Sequence, residues 1–210
     1  PAPPETIKES SPAGPIFSDT PLPLNWVREV DLDVPFKAGQ LIARKAEAGN
    51  LSASIKTHDG VLTVDADSGQ LSGGRFDMDL MADARGDLYN AKLVFKIEKM
   101  EIEQVPELRN KDLPIRGQIN VDIDLAGQGK SLKQMLAGAN GSVFMSASDA
   151  YIPAKGFDFL TQSIISQIFR VVSQKKKLEY HDIKCGLIGF RVIDGAAISR
   201  DTIVIKTPEL

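Results

Sequence analysis

The sequence predicts a mainly β protein: an antiparallel, strongly curved amphipathic sheet or open barrel, with one longer amphipathic helix and one short helix. Three observations carry this. Apolar and polar residues alternate with period two in run after run. Glycine-containing turn pairs separate the runs at hairpin spacing. One stretch near the C-terminal third switches to a helical period.

Taken in chain order, residues 1–15 hold five prolines and almost no large apolar group, and read as a disordered Pro-rich linker. From residue 16 the chain has folded character, and 16–210 is expected to be one domain, a fragment of a longer protein. Pro21 and Pro23 keep the backbone extended up to Asn25, which is placed to cap a short turn from Trp26 to Glu29. Strand runs follow. Val30, Leu32, Val34 and Phe36 form the first. Leu62, Val64 and Ala66 form another, then Phe76, Met78 and Leu80, then Leu93, Phe95 and Ile97, and later Ile119, Val121, Ile123 and Leu125. Between Ile97 and Met100 the phase slips by one, the mark of a bulge. Turn signals stand at 37–39, Gly49-Asn50, Asp59-Gly60, Gly73-Gly74, Gly86-Asp87, Asn140-Gly141 and Asp194-Gly195.

Two helices interrupt the run of strands. Ser131 to Ala137 is short, with Ser131 as N-cap. Phe157 to Ser173 is longer, with Phe157, Leu160, Ile164, Ile168 and Val172 on one broad face that Ile165 and Phe169 widen. Lys175, Lys176 and Lys177 follow it, which suits a helix C-terminus. The last strands are expected near 179–185, 190–193, 197–199 and 202–206.

About ten strands with one apolar face each need a cover, and a helix ~25 Å long and ~10 Å wide spans only a few of them. The remaining dry surface is closed into a barrel, stacked on itself, covered by chain outside the sequence, or left for an apolar ligand. The lid expectation follows: the Phe157–Ser173 helix packs over one end of the concave face.

Composition narrows the function. Of 210 residues, 42% are hydrophobic and 25% charged, so the chain folds; the net charge of −3 gives no footprint for nucleic acid. One cysteine and two histidines leave no disulfide framework and little metal chemistry. Gly127-Gln-Gly129-Lys130-Ser131 resembles a phosphate loop, but Asp124 stands where the first glycine is required, so it reads as a tight turn with a Ser cap. His181, Asp182 and Cys185 lack the further ligands of a zinc site and read as a half-buried histidine and a packed thiol. The acidic pairs Asp31/Asp33, Asp65/Asp67, Asp77/Asp79 and Asp122/Asp124 alternate with apolar residues and read as a solvated face that resists edge pairing. Lys175–Lys177 after an amphipathic helix suits either a plain charged cap or a membrane surface. No enzyme site, cofactor or metal site is expected.

Several pieces together resemble the AsmA family. They are Ile-Phe-Ser-Asp-Thr-Pro-Leu-Pro-Leu-Asn-Trp at 16–26, Val30–Val34, Asp59–Thr63, Leu71–Gly74, Leu113–Gly117, Asp122–Gly129, Ser131–Leu136, Asn140-Gly141, Cys185, Phe190–Gly195 and Thr207–Leu210. Gln40–Gly49 is more charged than that family's pattern. The resemblance implies a periplasmic protein of a Gram-negative envelope, held in the inner membrane by an N-terminal helix beyond this sequence. It also implies a β-groove whose dry face handles phospholipid or another apolar lipid, in lipid transport or outer-membrane homeostasis, with envelope proteins as partners. On that reading Val30, Leu32, Val34, Leu62, Val64, Phe76, Met78, Leu80, Leu93, Phe95, Ile97, Ile119, Val121 and Ile123 line the groove. Two other readings stand beside it: an assembly factor that receives outer-membrane strands by edge pairing, and a scaffold with no ligand.

Overall fold

The structure, a computed structural model, describes residues 17–43, 46–105, 116–152, 181–199 and 203–206. The strands are β1 (Leu32–Ala43), β2 (Ala46–His58), β3 (Val61–Leu71), β4 (Gly74–Asp83), β5 (Tyr89–Glu101), β6 (Arg116–Gly129), β7 (Asn140–Ile152), β8 (His181–Ile193), β9 (Ala196–Ile198) and β10 (Ile203–Lys206). One α-helix, α1 (Leu132–Ala137), and two single-turn 3-10 helices, Asn25–Arg28 and Ile102–Gln104, complete the described elements.

All strands join one antiparallel sheet in the order β1-β2-β3-β4-β5-β6-β7-β8-β10, with β9 also paired to β8. The sheet bends into a partial ring whose ends do not meet. Sequential pairing is what period-two alternation with short turns favours, because each strand folds back on its neighbour. Asp59-Gly60 and Asp194-Gly195 are tight turns with both residues at positive φ, as an Asp-Gly pair allows.

Curvature comes from irregularities in register. They fall between Gly49 and Ala53 where β2 meets β3, between Ala66 and Gly69 in β3, between Ile97 and Met100 in β5 and opposite Arg116 and Gln118 in β7. Each inserts an extra residue on one strand and increases the local twist. The expected slip after Ile97 is one of them. There Lys99 takes φ 53°, and its N–H donates to Asn120 Oδ1 at 2.8 Å, so the unpaired backbone group is satisfied.

Several expectations need correction. The turn signal at 37–39 is interior to β1, which runs through to Ala43. Gly49-Asn50 is interior to β2, where Asn50 at φ 47° marks the bulge and not a hairpin. Asn140-Gly141 opens β7. The expected strands at 179–185 and 190–193 are one strand, β8. Asn25 does not cap the first 3-10 helix: it lies inside it, and its Oδ1 accepts from the Tyr89 hydroxyl at 2.9 Å. Ser131 does cap α1, accepting from the Gln134 N–H at 3.2 Å. The Phe157–Ser173 helix, with Lys175–Lys177, lies outside the described residues.

Candidate functional site

In an antiparallel sheet, directly paired residues lie on the same side, so the register assigns each side chain to a face. One row runs Val34, Ile55, Val64, Leu80, Leu93, Leu125. The next runs Phe36, Ala53, Ala66, Met78, Phe95, Ile123, Val143, Phe190. A third joins Phe76, Ile97, Val121, Met145 and Ile188, and a fourth Met100, Ile119 and Ala147. At the other end, Leu32, Thr57, Leu62, Ala82 and Ala91 make a further row. Thirteen of the residues singled out from alternation, on five strands, therefore share one face. Val30 stands just before β1, its carbonyl accepting from the Thr57 hydroxyl at 2.5 Å.

This face is the inner one. Bending a sheet crowds side chains inside and splays them outside. Ile97, Ile188 and Phe190 on the apolar face are 6%, 9% and 5% exposed, whereas Met81 and Phe144 on the opposite face are 42% and 43% exposed. Leu32 and Val34 remain exposed because β1 is the edge strand, with no neighbour on one side among the described residues. Phe76 and Phe95 meet in the trough with centroids 6.0 Å apart and planes tilted by 43°. From the Leu125 row to the Ile119 row the apolar face runs roughly 20 Å along the strands at ~3.3 Å per residue.

One end of the trough is sealed by elements that alternation did not reveal as a lid. Val27, from the Asn25–Arg28 turn, and Met135, from α1, pack with Ala84 and Tyr89 and against Leu22, Leu24, Leu62 and Ala91. Val27 is 1% exposed. Hydrogen bonds fix this cap. Leu22 N–H donates to the Lys130 carbonyl at 2.8 Å, and Lys133 N–H to the Ser18 carbonyl at 3.3 Å. Arg28 donates from Nε to the Ala84 carbonyl and from Nη2 to the Gly86 carbonyl at 2.6 Å. α1 can lie this close because Gly127 has no side chain: a Cβ there would stand 2.3 Å from the Met135 carbonyl oxygen. The signal for the cap was present in 16–26, but only as a family signature. An apolar residue between Trp and Arg carries no periodicity to mark its burial.

The outer face carries the acidic residues. Asp33 pairs with Lys56 at 3.9 Å, Asp77 with Arg75 at 3.0 Å and Asp124 with Lys92 at 3.8 Å, all well exposed. Such pairs contribute little to stability, but they keep this side of the sheet wet. Among the described residues, no group of acidic, His or Cys side chains is arranged to hold a metal ion. Cys185 is exposed, against the expectation of a packed thiol. The Gly127–Ser131 stretch ends β6 and caps α1, as a tight turn.

Among the described residues, the fold and this surface define a β-trough module whose distinguishing feature is a continuous apolar face. The chain belongs to the AsmA family, a non-catalytic family of cell-envelope proteins, whose model matches residues 8–202. No individual curated protein and no solved structure matches it. Among the described residues, no helix is long and apolar enough to cross a membrane.

Proposed function

We propose that this domain is a non-enzymatic lipid-handling module, its inner face receiving the acyl chains of phospholipid or another apolar lipid on the periplasmic side of the inner membrane. The observation that carries this reading is the continuous apolar inner face that register assembles over β1 to β8. An apolar surface of that extent is costly in water, at about 25 cal/mol per Å², and acyl chains relieve the cost without needing any hydrogen-bonding partner. The family's place in the envelope supplies such lipids. Strand addition, the competing reading, needs a free edge; among the described residues β1 and β10 end the sheet, and on β1 Pro35 lacks an N–H to donate.

The test uses neighbours on opposite faces of the same two strands. Met78 pairs with Phe95, and Asp77 with Lys96. A photocrosslinking side chain at Met78 or Phe95 is expected to capture labelled phospholipid, and one at Asp77 or Lys96 is not. Equal capture from both faces overturns the reading.

A further inference from the structure

The outer face changes character at its far end. From β1 to β6 it is mostly Asp, Lys, Ser and Thr, but over β7 to β9 it gathers exposed apolar side chains. Phe144, Ile193 and Ile198 are 43%, 44% and 40% exposed, although nothing in a solvated face calls for them. Together with Ser142, Gly189, Phe190 and Arg191 they line a cavity of about 670 Å³; apart from Phe190, which belongs to an inner row, register puts these residues on the side opposite the trough. That is within the range of ~300–1,000 Å³ typical of small-molecule sites.

Arg191 is the one cation among the described residues lining it. Register sets it between Ser142 on β7 and Ile198 on β9, so its guanidinium rises from a strand flanked by a hydroxyl and an aliphatic side chain. Among the described residues it has no ion pair; every cation of a described salt bridge lies in β2, β4, β5, α1 or the Asp83–Tyr89 loop. A fork of donors beside an apolar hollow matches an anionic head on an apolar tail: the carboxylate accepts two parallel N–H bonds, and the chain covers Phe144, Ile193 and Ile198.

We propose that this hollow is a second ligand site, for a single-chain anionic amphiphile of the fatty-acid type, with Arg191 binding the carboxylate. The concave shape and single cation favour one monomeric chain over a bilayer surface, which calls for a spread of cations on a convex face. The site lies on the opposite side of the sheet from the trough and does not depend on the trough's function.

Dodecanoate, kept below its micelle concentration, is the probe, followed by two-dimensional amide NMR of the whole chain. Saturable shifts are expected at Ser142, Phe144, Gly189 and Arg191. Dodecanoate is expected to bind at least tenfold tighter than dodecyltrimethylammonium, which has the same chain and the opposite charge. Arg191→Gln should weaken dodecanoate about tenfold or more and leave the cationic probe unaffected; Arg191 is exposed, so the variant is expected to fold. Equal affinity for both probes, unchanged binding by Arg191→Gln, or shifts confined to Met78 and Phe95 would overturn the proposal. Arg191-dependent sedimentation with vesicles containing phosphatidylglycerol, without binding of monomeric dodecanoate, would also overturn it, in favour of a membrane surface.

Discussion

The Ser131 hydroxyl donates to Asp19 Oδ1 at 2.9 Å, joining the N-terminal segment to the start of α1 across 112 residues of chain. The same oxygen accepts the Gln134 N–H, so one fully buried hydroxyl caps the helix and anchors the strap. Lys133 Nζ completes the contact, 3.1 Å from Asp19 Oδ2. The hydrogen bond from Ser131, and then the bond and charge of Lys133, hold the Asp19 carboxyl below its ordinary range. The closed end of the trough thus depends on a residue that has no place in the sheet's alternation.

Ser131→Ala removes both bonds at a position with no access to water. The expected loss is about 1–3 kcal/mol, read as a lower urea midpoint with an unchanged slope. An unchanged midpoint would mean that the strap is held elsewhere.

Val27 should act as the plug. Val27→Ala is expected to cost about 2 kcal/mol through the cavity it leaves among Ala84, Tyr89 and Met135. Val27→Asp should open the sealed end and raise the fluorescence of an apolar dye under conditions where circular dichroism still reports an intact sheet. A folded Val27→Asp protein with no gain in dye signal would show that the cap does not cover the apolar face.

Two glycines make a matched comparison. A methyl group at Gly127 meets the Met135 carbonyl, whereas one at Gly39 finds nothing within 4 Å. Gly127→Ala should therefore displace α1 and cost about 1–3 kcal/mol, while Gly39→Ala stays within about 0.5 kcal/mol of the parent. Thermal unfolding of the two variants side by side decides it.

Acid should loosen the β4–β5 connection. Arg85 donates to Asp83 from Nε at 3.0 Å, from Nη2 at 2.6 Å and from its backbone N–H at 3.0 Å, and these bonds bring the Asp83 carboxyl down to about 2. The folded value lies below the ordinary one of 3.8, so the contribution is present above pH 4 and fades as pH falls toward 2. A carboxyl-detected NMR titration should find Asp83 near 2 in the parent and back toward the ordinary carboxylate range in Arg85→Gln. The same midpoint in both proteins would assign the shift to something other than Arg85.

Much of the sheet was legible in the residues. Alternation at Leu62–Ala66, Phe76–Leu80, Leu93–Ile97 and Ile119–Leu125 assigned one apolar side to each strand, because side chains in a strand can only point to two sides. The slip before Met100 and the Ser131 cap were local as well, set by neighbouring backbone groups. Strand length was harder: β1 continues through Gly39 because its partner β2 supplies hydrogen bonds that override a weak turn signal.

What only the tertiary structure decided is how the strands add together. Register with neighbours carried Met78, Phe95 and Ile123 into one row, and bulges at Asn50 and Lys99 bent the rows inward. The seal at Val27 and Met135 joins segments more than a hundred residues apart, so no local pattern could announce it. The hollow at Arg191 has the same origin: Phe144, Ile193 and Ile198 are isolated apolar residues in the sequence, and they become a surface only when β7, β8 and β9 lie side by side. Burial in a strand is decided locally by direction, but the shape of a site is decided by which distant strands pair, and that depends on packing summed over the whole sheet.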